Sequence, residues 1–195
     1  MIVDDNLLWK NHIALVSSRT RKLIRIFKVL RYSAEAELLI STYKALAQCF
    51  INYCICAWGS AKKTHMIKAE RAQCALLKVM FRLDFQHPTR QVYEKAKVLT
   101  VRQLFVYSIL LRCHRSTKPK SNEVIKRRVP PIPAPSTRSA LAHAHYSSVA
   151  PRLYNHILRQ KDVRHLTKTA FKKYLQDWLF SLNYEKTENL LKPYI

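Results

Sequence analysis

A mainly α fold is what this sequence predicts: a multi-helix bundle, then a Pro-rich spacer, then a small C-terminal helical segment. Three observations predict it. Gly59 is the one glycine in 195 residues, which leaves few sites for the tight turns that β-hairpins need. Apolar residues recur at helical spacing through several long stretches. Hydrophobic residues make up 48% of the chain, enough for a packed core and too many for a disordered tail. The expected organisation is a basic helical domain over 1–115, a Pro-containing basic linker over 116–147 and a helical segment over 148–195.

Residues 33–59 are expected to form the spine. Ser33 can cap a helix start, and Glu35 and Glu37 place negative charge in its first turn. The stretch then runs apolar on nearly every face until Gly59, a residue suited to a left-handed helix end. One helix of about 25 residues would be roughly 37 Å long. Its aromatic residues Tyr43, Phe50, Tyr53 and Trp58 read as core.

Before the spine, residues 1–12 read as a short extended piece leading into a helix. Adjacent aspartates such as Asp4 and Asp5 can hold a divalent metal, but no third carboxylate stands at a useful spacing. A turn with Leu8 and Trp9 packed on the core is the expectation. Residues 13–30 are amphipathic, with Val16, Leu23, Phe27 and Leu30 as the core stripe and Ile26 beside it. Arg19, Arg21, Lys22, Arg25 and Lys28 cover much of the remainder, and Arg31 follows. With no acid among them, they have no i,i+4 partner on their own helix. Six cations in thirteen residues suit phosphate contacts.

After the spine, residues 62–82 predict a second basic helix. Its expected stripe is Ile67, Cys74, Leu77 and Phe81. Lys62, Lys63, Lys68, Arg71 and Lys78 supply charge, and Glu70 is its only acid. A short helix is expected over 91–97. Thr100 and Gln103 fit a capping box ahead of an almost wholly apolar, buried helix over 101–114. The run 129–135, VPPIPAP, has four prolines in seven positions and reads as a stiff spacer. Val149, Leu153, His156 and Ile157 predict one more helix. Thr167 or Thr169 can cap another, lined by Phe171, Leu175, Trp178, Leu179 and Leu182. Lys168, Lys172 and Lys173 sit at the end of that helix where the dipole disfavours cations.

Charge narrows function. Lys and Arg number 35 against 12 acids, a net charge of +23 and a pI near 10.2. Self-repulsion on this scale gains nothing for an enzyme of small neutral substrates, whereas a polyanion explains it. An acidic membrane surface competes poorly, because the charge is spread over several segments. The most apolar run, 45–58, is interrupted by Gln48 and Asn52 and falls short of a span. The five cysteines, Cys49, Cys54, Cys56, Cys74 and Cys113, are expected as reduced, buried thiols of an intracellular protein. No metal site or cofactor is expected, since the histidines offer no companion zinc spacing. There is no glycine-rich phosphate loop, GxSxG or HExxH.

Several blocks resemble the C-terminal region of non-LTR (LINE-like) retrotransposon reverse transcriptases, in particular the jockey-like group. Asp4-x-x-Leu7-x-Trp9-x-x-His12-Ile13 resembles the segment after the polymerase palm. Tyr43-x-Ala45-Leu46 and Tyr53-x-x-x-x-Trp58-Gly59 resemble the next block, and Glu70-Arg71-Ala72-Gln73 a helix beyond it. Tyr154-Asn155 and Phe171-Lys172-x-x-Leu175 resemble the closing block. The similarity runs in order over essentially the whole chain. It implies a thumb-like bundle and a post-thumb region that grip a template–primer duplex by its backbone. The implied partner is an RNA or RNA–DNA duplex, bound without regard to sequence, with palm and fingers supplied by a longer chain. Two departures stand out. The aromatic-x-Asp-Asp metal turn of the palm is absent, so the chain is not expected to be an enzyme by itself. The Asn-x-Leu-Pro of the closing block is replaced by Asn155-His156-Ile157-Leu158. The alternative is a stand-alone basic helical adaptor for nucleic acid or an acidic protein. On either reading Arg19, Arg21, Lys22, Arg25, Lys28, Arg31, Lys62, Lys63, Lys68 and Arg71 are the candidate contacts.

Overall fold

The computed structural model describes residues 1–116, 132–133, 135–136, 138–139, 142–143 and 145–192. The described residues are mainly helical and contain no strand. The remaining residues of 116–147, where the proline-rich spacer is expected, lie outside them. The chain divides into two compact units, Met1–Leu104 and Phe105–Ile195, so the division falls within a helix rather than at residue 115. None of the described helices is long and apolar enough to cross a membrane.

In the first unit, α1 (Lys10–Leu30) and α5 (Lys63–Met80) form the most extensive helix pair. The start of α1 is held from upstream: one carboxylate oxygen of Asp4 accepts from the Trp9 amide and the other from the Lys10 amide, both at 3.2 Å. This pre-helical turn is the role of the aspartate. Trp9 is buried and Leu8 is exposed. Val16, Leu23 and Phe27 are buried as their spacing predicts, whereas Leu30 is half-buried and Ile26 faces solvent. Ser17 and Thr20 are also buried, and each donates to the carbonyl four residues back, Ile13 at 2.7 Å and Val16 at 2.9 Å. On α5 the buried set is Met66, Ala69, Ala72, Gln73, Leu76, Leu77 and Met80. That stripe is shifted by a residue from the one expected: Ile67, Cys74 and Phe81 are only half-buried.

The single spine helix is not formed. Residues 33–59 fold instead as α2 (Ala36–Tyr43), a π-helical turn (Lys44–Gln48), α3 (Cys49–Asn52) and α4 (Ile55–Trp58). Leu39, Tyr43, Ala47 and Ile51 are buried at four-residue steps. An α-helix turns about 40° too far at each such step, and the wider i→i+5 turn takes back part of that drift. The break follows at Tyr53, extended with ψ 114, and Cys54, left-handed with φ 53. Tyr43 and Trp58 are core, Phe50 is half-buried and Tyr53 is 56% exposed. Neither expected cap operates: Glu35 occupies the N-cap position without a side-chain bond, and Gly59 has an ordinary φ of −66. The left-handed conformation falls on Leu7, Trp9, Cys54, Arg82 and Lys97 instead. None of the five cysteines forms a disulfide, and none is fully buried; Cys49 and Cys54 are exposed. Burial pushes the Cys113 thiol up to about 11.

Around this frame, α6 (Thr89–Ala96) and the start of α7 (Val101–Ser116) complete the unit. The capping box forms as spelled out in sequence: the Thr100 amide donates to Gln103 Oε1 at 3.0 Å and the Gln103 amide to Thr100 Oγ1 at 3.2 Å. Gln73, wholly buried, joins four segments. Its Nε2 donates to the Tyr43 hydroxyl at 2.8 Å and the Leu99 carbonyl at 2.9 Å, and its Oε1 accepts from Tyr93 at 2.9 Å. Burial pushes the Tyr43 phenol well above its ordinary range, opposed in part by the Gln73 bond. Arg102 is also buried and donates to the Gly59 carbonyl at 2.8 Å and the Ala61 carbonyl at 2.9 Å.

The second unit packs the rest of α7 with α8 (Tyr146–Gln160), α9 (Lys168–Ser181) and α10 (Tyr184–Leu191). Thr167, not Thr169, caps α9 by accepting from the Ala170 amide at 3.2 Å. Phe171, Leu175 and Leu179 are buried on it, with Trp178 half-buried. His114 stacks on Phe171 with ring centroids 4.0 Å apart. Its Nε2 lies 3.1 Å from the Leu166 carbonyl, which can only accept, so Nδ1 takes the Tyr154 hydroxyl proton at 2.8 Å. Arg152 Nη2 donates to the Leu190 and Leu191 carbonyls at the end of α10. The Asn155 side chain pairs with both backbone groups of Ile132, at 2.8 and 2.9 Å.

Three tests follow from this packing. Gln73→Leu removes from the core the one side chain that bonds two phenols and a carbonyl, so it should cost about 3 kcal/mol and lower Tm by roughly 6–12 °C. A fall of under about 2 °C in a thermal melt would show the hub to be dispensable. Lys97→Gly relieves a left-handed residue at the end of α6 and should raise Tm by about 2–4 °C; no rise would mean that the conformation carries no strain. His12, buried and receiving the Ile2 amide on Nδ1 at 3.4 Å, has its pKa lowered from 6.5, first by burial and then by the positive N-terminus and Arg19. Below pH 6.5 the unfolded chain takes up this proton first. Stability is therefore whole above that pH and is lost as pH falls until the folded imidazole also protonates. Urea midpoints between pH 7.5 and 5 should show this loss, and His12→Phe should flatten it.

Candidate nucleic-acid interface

Helix α1 carries no acid in its 21 residues, and its polar surface is therefore of one sign. Because its buried face uses Ser17 and Thr20 alongside large apolar residues, one flank is lined by small side chains. Ala14, Ser17 and Ser18 floor an open groove of about 630 Å³ there. Arg21 and Lys22 of α1 and Lys68 of α5 form its rim. Positions 14, 17, 18 and 21 follow the i, i+3, i+4, i+7 rule for a single helix face. Three cations thus converge on an open trough with a low, partly hydroxylated floor.

Arg25 and Lys28, about one and two turns beyond Arg21 on the same helix, are exposed, as are Lys62, Lys63 and Arg71. Arg21, Lys22, Arg25, Lys28, Lys68 and Arg71 make no ion pair among the described residues. Arg19 is exposed but directed elsewhere, with its guanidinium 5.7 Å from the centroid of Phe50.

Arg31 stands apart from the other candidates. It donates to the Val79 carbonyl at 3.1 Å and to the Tyr32 hydroxyl at 3.1 Å, while Arg82 donates to the Arg31 carbonyl at 3.0 Å. Both guanidiniums lie against the Tyr32 ring, at 5.1 and 4.5 Å. The C-terminal ends of α1 and α5 therefore meet, and the two helices run in the same direction. Their negative dipole ends add at that point, and these arginines offset them. Arg31 is a structural clamp in this arrangement.

Sequence reasoning did not find a second cavity, of about 360 Å³, on the other flank of α1. His12, Val16 and Arg19 line it from α1, and Phe50 and Tyr53 from the region where α3 breaks. The residues lie more than thirty positions apart, so no local pattern could signal the site. Asp4, one of the two adjacent aspartates, accepts from two backbone amides. No cluster of three or more His, Cys, Asp or Glu side chains suited to a metal occurs among the described residues. Lys168, Lys172 and Lys173 are exposed at the start of α9 in the second unit. No protein-family model matches the chain, and comparison with curated proteins and with solved structures finds no match either.

Proposed function

We propose that this chain binds the sugar–phosphate backbone of an RNA or RNA–DNA duplex through the groove between α1 and α5. On this reading it is the thumb and post-thumb part of a non-LTR retrotransposon reverse transcriptase, working with a palm and fingers that lie outside these residues. The observation that carries the binding reading is the convergence of Arg21, Lys22 and Lys68 on one open groove beside a helix that has no acid. The reverse-transcriptase reading rests on the ordered sequence blocks around Trp9, Tyr43, Trp58, Gln73 and Tyr154. Each phosphate neutralised releases counterions, and cations on a helical scaffold recognise backbone rather than base edges. Such a surface grips a duplex at any sequence, as a thumb must when the template moves past it. The chemistry of nucleotide addition belongs to carboxylates that this sequence lacks.

The test is fluorescence anisotropy with a labelled RNA–DNA hybrid from 50 to 200 mM salt. For six or more phosphate contacts, affinity should fall by about three orders of magnitude or more over that range. Arg21→Ala, Lys22→Ala and Lys68→Ala together should weaken binding equally for unrelated sequences and reduce the log–log salt slope by about 3. A shallow slope, or binding that survives the triple substitution, would transfer the chain to the adaptor class with an acidic protein as its partner.

A further inference from the structure

The cavity on the second flank of α1 has the chemistry of a nucleobase site. Its aromatic wall is Phe50, half-buried, with the Arg19 guanidinium lying over the ring at 5.7 Å. At its edge stands Tyr53, 56% exposed. Tyr53 is turned outward because the helix breaks there, and Cys54 holds a left-handed φ of 53 to make the break. A non-glycine residue in that conformation is strained, and such strain collects at functional positions. The remaining wall includes His12, 3% exposed. Its Nδ1 receives the Ile2 amide, so the neutral ring carries its proton on Nε2, and that nitrogen is buried without a hydrogen-bond partner. That nitrogen has no accessible surface, so His12 closes the cavity from behind, packed edge-on against Trp9 and Trp58, and offers it no donor. Aromatic faces and a guanidinium suit a planar heterocycle attached to a negative charge.

The position of the cavity narrows the ligand further. Ala14, Ser18 and Arg21 lie on one flank of α1 and Val16 and Arg19 on the other, so the groove and the cavity are separated by the exposed ridge of a single helix. That ridge is roughly 10 Å across, a distance a few nucleotides of single strand can span.

We propose that the cavity formed by His12, Val16, Arg19, Phe50 and Tyr53 takes one unpaired base from a single-stranded overhang leaving the duplex in the groove. The inference rests on the phosphate-binding reading and adds to it a preference for a duplex with an unpaired end. Arg19 holds the phosphate of the captured nucleotide, and the base stacks on Phe50 and Tyr53.

The experiment compares a blunt RNA–DNA hybrid with the same hybrid bearing a three-nucleotide overhang, using the full chain at 100 mM salt. The overhang should tighten binding roughly tenfold, the scale of one base–aromatic stack. Tyr53→Ala and Phe50→Leu should each remove most of that gain and leave blunt-end affinity unchanged, which also reports that the fold is intact. The Tyr53 ring resonances should shift with the overhang hybrid and not with the blunt one. Equal affinity for the two hybrids with a steep salt slope overturns the base site and leaves the phosphate reading standing. A gain that survives both substitutions also overturns it. Failure to bind either hybrid at 50 mM salt overturns both readings.

Discussion

The first unit depends on one buried amide. Gln73 sits in the middle of α5 with its side chain in the core, and a primary amide there must find partners for two donors and an acceptor. It finds them on α2, α6 and the turn before α7, through Tyr43, Tyr93 and Leu99. Apolar packing alone would let these helices slide by a fraction of a turn at little cost, since one aliphatic surface fits another in many registers. Three bonds of 2.8–2.9 Å from one side chain permit a single register. α5 is tied to α1 separately, at their C-terminal ends, where Arg31 donates to the Val79 carbonyl and Arg82 to the Arg31 carbonyl.

A chain with a net charge of +23 and a single glycine has an unusual problem at its helix ends. It has few acids to pair with its cations and almost no residue that relaxes into a left-handed cap. Arginine meets both needs. Arg31 donates to the end of α5, Arg82 to the end of α1, Arg102 to the end of α4 and just past it, and Arg152 to the end of α10. In each case the planar guanidinium satisfies carbonyls that the helix leaves open and meets the negative end of the dipole. Net charge therefore overstates the binding surface, because part of the arginine content is architecture. The cations on the groove, by contrast, donate to no carbonyl among the described residues.

Much of this was legible from composition and spacing. The helical class, the end of α1, the extent of α5 to within two residues and the Thr100–Gln103 capping box are local features, and the local signal sufficed; α1 starts three residues earlier than its spacing predicts, and the spacing left Thr167 and Thr169 both open as the cap of α9. The stripe of α5 was misplaced because its buried face is made of Ala69, Ala72 and a polar Gln73, which a search for large apolar residues passes over. The spine was read as unbroken because residues 45–58 contain neither glycine nor proline to announce the π-helical turn at Lys44–Gln48 or the break at Cys54. The cations of the site could be named from residue type, but their grouping could not. Arg19 and Arg21 are two residues apart in sequence and serve opposite flanks of one helix, while Lys68 joins Arg21 from a different helix altogether.

The absence of acid from α1 has a consequence for how such a surface can work. An isolated helix with six cations and no counter-charge is destabilised by its own repulsion, so α1 must be held by what it packs against. Its apolar face, the Asp4 carboxylate at its start and the Arg82 contact at its end supply that hold. Repulsion between the exposed cations is then stored in the folded protein, and under the proposed function a bound polyanion would release it, so that phosphate binding would also raise folding stability. Small residues line one flank of the helix and an aromatic wall the other. On the proposed reading the two sides have different tasks, one meeting a continuous charged backbone and the other a single flat ring.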